Sequence, residues 1–182
     1  MYRLGSGDTR HGSSKNFSTR QKGCDMKTTI LLAVGCLLLS TTSHAANVAQ
    51  CSNPVGQAYY PYLGLMEKKT SGWTDDKITG GITTLRKIGK NQYDLLFVDS
   101  FKQIISTIQD GGKVYLYSKG TNNVSFLVLY PGKTVEVFTF LVNNDGKAEY
   151  TYVSSRAGDG VLFPKATVMR GDCQFVKFGL VD

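Results

Sequence analysis

Histidine is nearly missing from this 182-residue chain: His11 and His44 are the only two. Both fall in a leading stretch that the sequence marks for removal. Lys27 gives a short positive start after Met26. Ile30 to Leu39 is an apolar run too short to cross a bilayer. Ser40 to Ala46 is rich in small residues, and Ser43-His44-Ala45 fits the cleavage pattern of a secretory signal. The pattern predicts a signal peptide over residues 26–46 and a periplasmic or secreted product. Residues 1–25, without apolar periodicity and rich in Gly, Ser and charge, are read as an upstream extension, disordered or not translated. Residues 47–182 are expected to form a single β domain with no transmembrane segment of its own.

That segment has no imidazole, so Ser-His-Asp and Cys-His nucleophilic sites cannot be built in it, nor can a histidine-containing zinc site. It has little cysteine: of the four in the chain, Cys51 and Cys173 remain. An even count in an oxidising compartment predicts one disulfide between them, tying the first mature segment to the last strand. It also has little excess charge. Six of the 21 Lys and Arg and two of the 14 Asp and Glu precede residue 47, which leaves fifteen cations against twelve carboxylates, a charge of +3. The basic balance of the whole chain therefore belongs largely to the leader, and no nucleic-acid role is expected. There is no Walker loop and no dinucleotide fingerprint; Gly80-Gly81 and Gly111-Gly112 are turn pairs. No cofactor and no metal site are expected.

Carboxylates are the remaining catalytic option. The pairs considered are Asp75 with Asp76, Asp94 with Asp99, and Glu136 with Glu149, the last on strands expected to pair and share one face. Each is better read as solvated strand charge, so no catalytic residue is assigned and the chain is expected not to be an enzyme. Asn143-Asn144-Asp145-Gly146 lacks the preceding oxygen ligand of a calcium loop and reads as a hairpin turn. Arg170-Gly171-Asp172 is read as a structural turn between two strands.

What the segment does have is β-rich runs separated by turn chemistry. Strands are predicted at 78–88, 92–98, 101–108, 114–118, 124–130, 134–142, 148–154, 165–170 and 174–180. Pro131-Gly132 suits a type II turn, and Asp145-Gly146 suits a tight mirror-image hairpin turn. Short gaps join antiparallel neighbours. The fold class is therefore all-β, an antiparallel meander of about eight strands forming a small barrel, with a β-sandwich as second choice. In 124–142 both strand faces are largely apolar, so something is expected to cover the second face. The stretch from Cys51 to Trp73, with Tyr59, Tyr60, Tyr62, Leu63, Leu65 and Met66, is read as a short amphipathic helix or wrapping coil.

An exported domain of this size, with an eight-strand meander and one disulfide, resembles the lipocalin and calycin barrels in architecture. The lipocalin signature separates Gly from Trp by one residue, whereas Gly72 and Trp73 are adjacent here, so no functional residue is carried across. Small periplasmic lysozyme inhibitors are similar in combining export, compact β structure and a disulfide. Their motifs are not matched, and a positive charge opposes docking to a basic enzyme.

Aromatics are the last resource: Trp73, nine tyrosines and eight phenylalanines after residue 46. Tyr joins an apolar body to a polar tip, which suits a cavity lining. Tyr115 and Tyr117 share one strand face and Tyr150 and Tyr152 another, and the two pairs are placed as neighbouring rungs. With Trp73 they are the candidate ligand-binding residues. The function expected is a non-enzymatic binding module holding a small apolar or aromatic ligand in a barrel. The alternative is a protein-interaction or inhibitor role on an envelope enzyme, and a carboxylate hydrolase is a distant third.

Overall fold

The structure, a computed structural model, describes residues 45–98 and 101–182. The predicted upstream extension, nearly all of the predicted signal peptide, and Asp99 lie outside those residues. Ten strands follow: β1 (Ala46–Tyr60), β2 (Gly72–Lys77), β3 (Ile82–Gly89), β4 (Gln92–Val98), β5 (Ile104–Ser106), β6 (Lys113–Lys119), β7 (Asn123–Tyr130), β8 (Thr134–Val142), β9 (Ala148–Arg156) and β10 (Lys165–Val176).

All pairings are antiparallel, in the order β5-β4-β3-β1-β10-β9-β8-β7-β6, with β2 added on β1. The sheet curls into a half-barrel, the all-β barrel-like fold that the turn spacing predicts. Eight long strands follow one another around the curl, and β1 joins the two ends of the chain's path by lying between β3 and β10. The ladder stays open between β4 and β6. There β5 and a turn over 107–112 bridge the gap. Asp94, buried on β4, holds that bridge by accepting from Ser106 Oγ (2.7 Å) and the Ile108 amide (3.3 Å), and the Thr107 amide donates to Leu95 O (2.9 Å).

The core lies inside the curl. Val124, Phe126 and Val128 of β7 and Phe138 and Phe140 of β8 meet Leu85 of β3, Tyr93 and Leu95 of β4, and Val48 and Cys51 of β1. Side chains alternate between the faces of a strand, so this inner set fixes the outer one. Tyr115, Leu127, Val137, Val153 and Val168 stand in register on the outside of five consecutive strands. The second apolar face is thus an outward stripe, with Val153 and Val168 about half exposed, and no described strand packs over it.

The disulfide joins Cys51 to Cys173, direct cross-strand partners on β1 and β10. Four local expectations are corrected. Residues 51–60 form strand, not helix or coil, and beyond them the only helical turn in this stretch is the 3-10 turn Lys68–Thr70. The predicted strand at 101–108 shrinks to Ile104–Ser106, because the Asp94 contacts turn the chain away. Arg170-Gly171-Asp172 is not a turn: it lies within β10, where Arg170 pairs with Glu149 (2.7 Å) and Asp172 (2.9 Å). Gly171 is needed there, since a Cβ would lie 2.7 Å from Ser52 O and 2.5 Å from the Tyr150 ring. Finally, Asp145-Gly146 does not make a two-residue mirror turn. Asn143 and Lys147 close the loop (2.9 Å), Gly146 N returns to Asn143 O, and Gly146 is the loop residue with positive φ, 75°. This is the three-residue hairpin with a glycine bulge. Asn143 favours it by accepting the amides of Asp145 and Lys147 with its side chain (both 3.0 Å). Tyr130-Pro131-Gly132-Lys133 closes as predicted, with Gly132 at φ 71°.

Candidate functional site

The half-barrel is finished differently at its two ends. At one end the chain's last residues fold under the core as a 3-10 turn, Phe178–Leu180, and Val181 is buried beneath Tyr93 and its neighbours. At the other end the inner face is not filled, and a cavity of about 490 Å³ opens to the outside.

Strand register sets what faces this cavity. On β8 the inward positions run Phe140, Phe138, Glu136, Thr134 toward the mouth. On β9 their partners are Tyr150, Tyr152, Ser154 and Arg156. Phe97 comes from β4, Thr83 from β3 and Tyr130 from β7. The rings form one connected wall: Phe138 lies 4.8 Å from Tyr152, 5.7 Å from Phe97 and 6.4 Å from Tyr150, centre to centre. Two polar contacts are set into it. The Tyr152 hydroxyl donates to Glu136 Oε1 (3.0 Å), and the hydroxyls of Thr83 and Tyr150 meet at 3.4 Å. Lys133, Arg156 and Asp110 reach the lining from the rim, all three exposed.

Burial governs the protonation of this wall. It raises the Glu136 carboxyl above its ordinary range, against the opposing pull of the Tyr152 hydrogen bond and the Arg156 charge. It raises the Tyr152 phenol strongly, and the neighbouring Glu136 charge adds to that. Tyr130 and Tyr150 are raised for the same first reason, loss of water. At neutral pH all three phenols are therefore donors, not charges.

Of the five residues singled out from the sequence, Tyr150 and Tyr152 line the cavity. Tyr115 and Tyr117 sit on the outer face of β6, and β6 is separated from β9 by two strands, so the two tyrosine pairs are not adjacent rungs. Trp73 stands on β2 outside the curl, exposed, with its ring 5.4 Å from Tyr59. Glu136 and Glu149 do not share a face: Glu136 points inward, while Glu149 points out to Arg170. The odd spacing of 13 residues, folded through one hairpin, sends them to opposite sides. Asp75 and Asp76 take separate partners, Gln57 and Lys165 (both 3.4 Å). Among the described residues no cluster of His, Cys, Asp and Glu could hold a metal ion. Sequence reasoning missed Glu136 as a cavity residue. Its signal was an acid in the even register of β8, the one that also carries Phe138 and Phe140.

Comparison with protein-family models, with curated proteins and with solved structures found no match to this chain.

Proposed function

We propose that the chain is an exported, non-enzymatic binding module that holds a small ligand with an apolar or aromatic body in the open end of the half-barrel. The observation that carries this is the aromatic cavity itself. A concave site walled by Phe97, Phe138, Tyr150 and Tyr152, with a few convergent polar groups and a carboxyl of shifted protonation, has the make-up of a small-molecule pocket. Filling it with more side chain would have been the cheaper way to a stable core. Export through a signal beginning at Met26 agrees with the disulfide and with a first strand that starts at Ala46, within one residue of the predicted end of the signal. The test is a thermal-shift and NMR screen of small aromatic and aliphatic compounds. Binders should raise the melting temperature and perturb the methyls of Ile82 and Ile105, which line the cavity. A diverse panel that does neither would remove the reading.

The protein-interaction reading is favoured by a different observation, the outward stripe from Tyr115 through Leu127, Val137 and Val153 to Val168. Contiguous apolar surface of that kind marks contact faces. The hydrolase reading is the weakest. Glu136 and Asp110 are the two carboxyls lining the cavity, but Asp110 is exposed on a turn and not set on a strand opposite Glu136.

A further inference from the structure

One group in the cavity is not accounted for by packing. Glu136 stands on the inward face of β8, half-buried, with Phe138 as its next inward neighbour. Its Oε1 is held by Tyr152, while among the described residues its Oε2 has no hydrogen-bond partner, and no Lys or Arg nitrogen forms an ion pair with the carboxyl. A carboxylate drawn partly out of water without an ion partner favours a proton or a cation beside it. The wall beside it consists of ring faces and edges, and ring faces attract positive charge.

We propose that the cavity takes an organic ammonium ion, its nitrogen donating to Glu136 and its apolar body lying against Phe97, Phe138 and Tyr152. This deepens the small-molecule reading above and rests on it. The groups that face Glu136 come from several elements: Tyr152 and Arg156 on β9, Tyr130 on β7, Asp110 on the turn before β6, and Lys133 on the turn before β8. Lys133 and Arg156 are exposed, so water screens them, whereas Glu136 sits deeper among aromatic side chains, where a charge pair counts for more. An anionic group would meet its attraction at the rim and be repelled deeper in. Arg156, one rung nearer the mouth, is the protein's own competitor for Glu136.

The experiment is calorimetric titration of the purified protein at pH 7 with 2-phenylethylamine, which is charged, and 2-phenylethanol, its neutral isostere. The amine is expected to bind about tenfold more tightly than the alcohol, because its charge adds an ion pair with Glu136 and a cation–ring contact to the hydrogen bond that both ligands can make. Glu136→Gln should erase the preference by weakening the amine far more than the alcohol. Arg156→Gln should tighten the amine alone. The wild-type comparison needs no variant, so a folding defect cannot hide the answer. Equal affinities, a preference that survives in Glu136→Gln, or binding of other panel compounds but neither of these two would overturn the ammonium inference and leave the cavity reading standing. Failure of the whole panel would end both.

Discussion

At the closed end of the half-barrel, Tyr93, Phe126 and Phe140 are buried to within 2% of full cover. The chain's last carboxylate seals them in: Asp182 accepts from Lys87 Nζ (2.5 Å), the Asn91 amide (2.6 Å) and the Tyr93 hydroxyl (3.2 Å), and Lys119 holds Val181 O (2.6 Å). At the open end Phe138 and Tyr150 are covered just as fully, but together with the half-buried Phe97 and Tyr152 they wall a cavity, and the carboxyl among them, Glu136, has a single phenol for company. The same strands run through both ends, so the difference is not one of fold. One end uses aromatics to exclude water and pairs the groups gathered around Asp182. The other uses aromatics to surround a volume and leaves a polar group in want of a partner. Closing the first end is what permits the second to stay open, because the curled sheet needs one dense core and not two.

The comparison can be broken hardest at the waist, where Cys51 and Cys173 tie β1 to β10. The pair is 122 residues apart in sequence. Losing a cross-link of that span should cost about 5 kcal/mol on chain-entropy grounds. Equilibrium denaturation of the Cys51→Ala/Cys173→Ala double variant against wild type measures it. The core outside the waist is intact in that variant, so one cooperative transition at lower denaturant is expected. Two separated transitions would mean that the ends fold independently.

Single truncations sharpen the contrast. Phe126→Ala, in the closed end against Tyr93 (4.9 Å) and Phe140 (6.4 Å), should cost about 3–5 kcal/mol, as buried Phe deletions do. Phe97→Ala removes a ring that already faces the cavity on one side, and should cost about 1–2 kcal/mol by the same reasoning with fewer lost contacts. Urea midpoints of the two variants, read side by side, decide the matter. Equal losses would say that the cavity wall is packed as tightly as the core.

These positions also show how far the sequence could be read. Strands β4 and β6 to β9 are legible because period-2 apolar runs meet clear turn residues, such as Val124 to Tyr130 running into Pro131-Gly132. Strand β1 was not legible. Ser52, Asn53, Pro54 and Gly56 read as coil, yet neighbouring strands on both sides pair with this segment, and bulges absorb the irregular residues, with Asn53 at φ 49°. Strand character there comes from the partners and not from propensity. The site was half legible. Tyr150 and Tyr152 lie inside because their strand alternates cleanly, but which face of β6 turns inward depends on Val114 and Leu116, whose packing only the curl decides.

The smallest expected effect is a change in how stability varies with pH, and it sets the two end carboxyls against each other. The Asp182 carboxyl is lowered from its ordinary value of 3.8, first by Lys87 and then by the Asn91 amide. Its contribution is fully present above the unfolded value and is lost as pH falls through the lower, folded one. Glu136 is raised from 4.5 by burial. Its contribution has the opposite sense: fully present below the unfolded value, and lost as pH rises through the folded one, because charging it costs more inside than out. Asp182→Asn should therefore flatten the acid limb of the stability curve. Glu136→Gln should flatten a loss that sets in as pH climbs above the ordinary carboxylate range, leaving the variant at least as stable as wild type at pH 7 and no better at pH 3. Thermal midpoints of the three proteins across that range separate the cases. If Glu136→Gln were less stable at pH 7 than at pH 3 relative to wild type, the carboxylate would already have a full partner in the folded protein, and the open end would be as satisfied as the closed one.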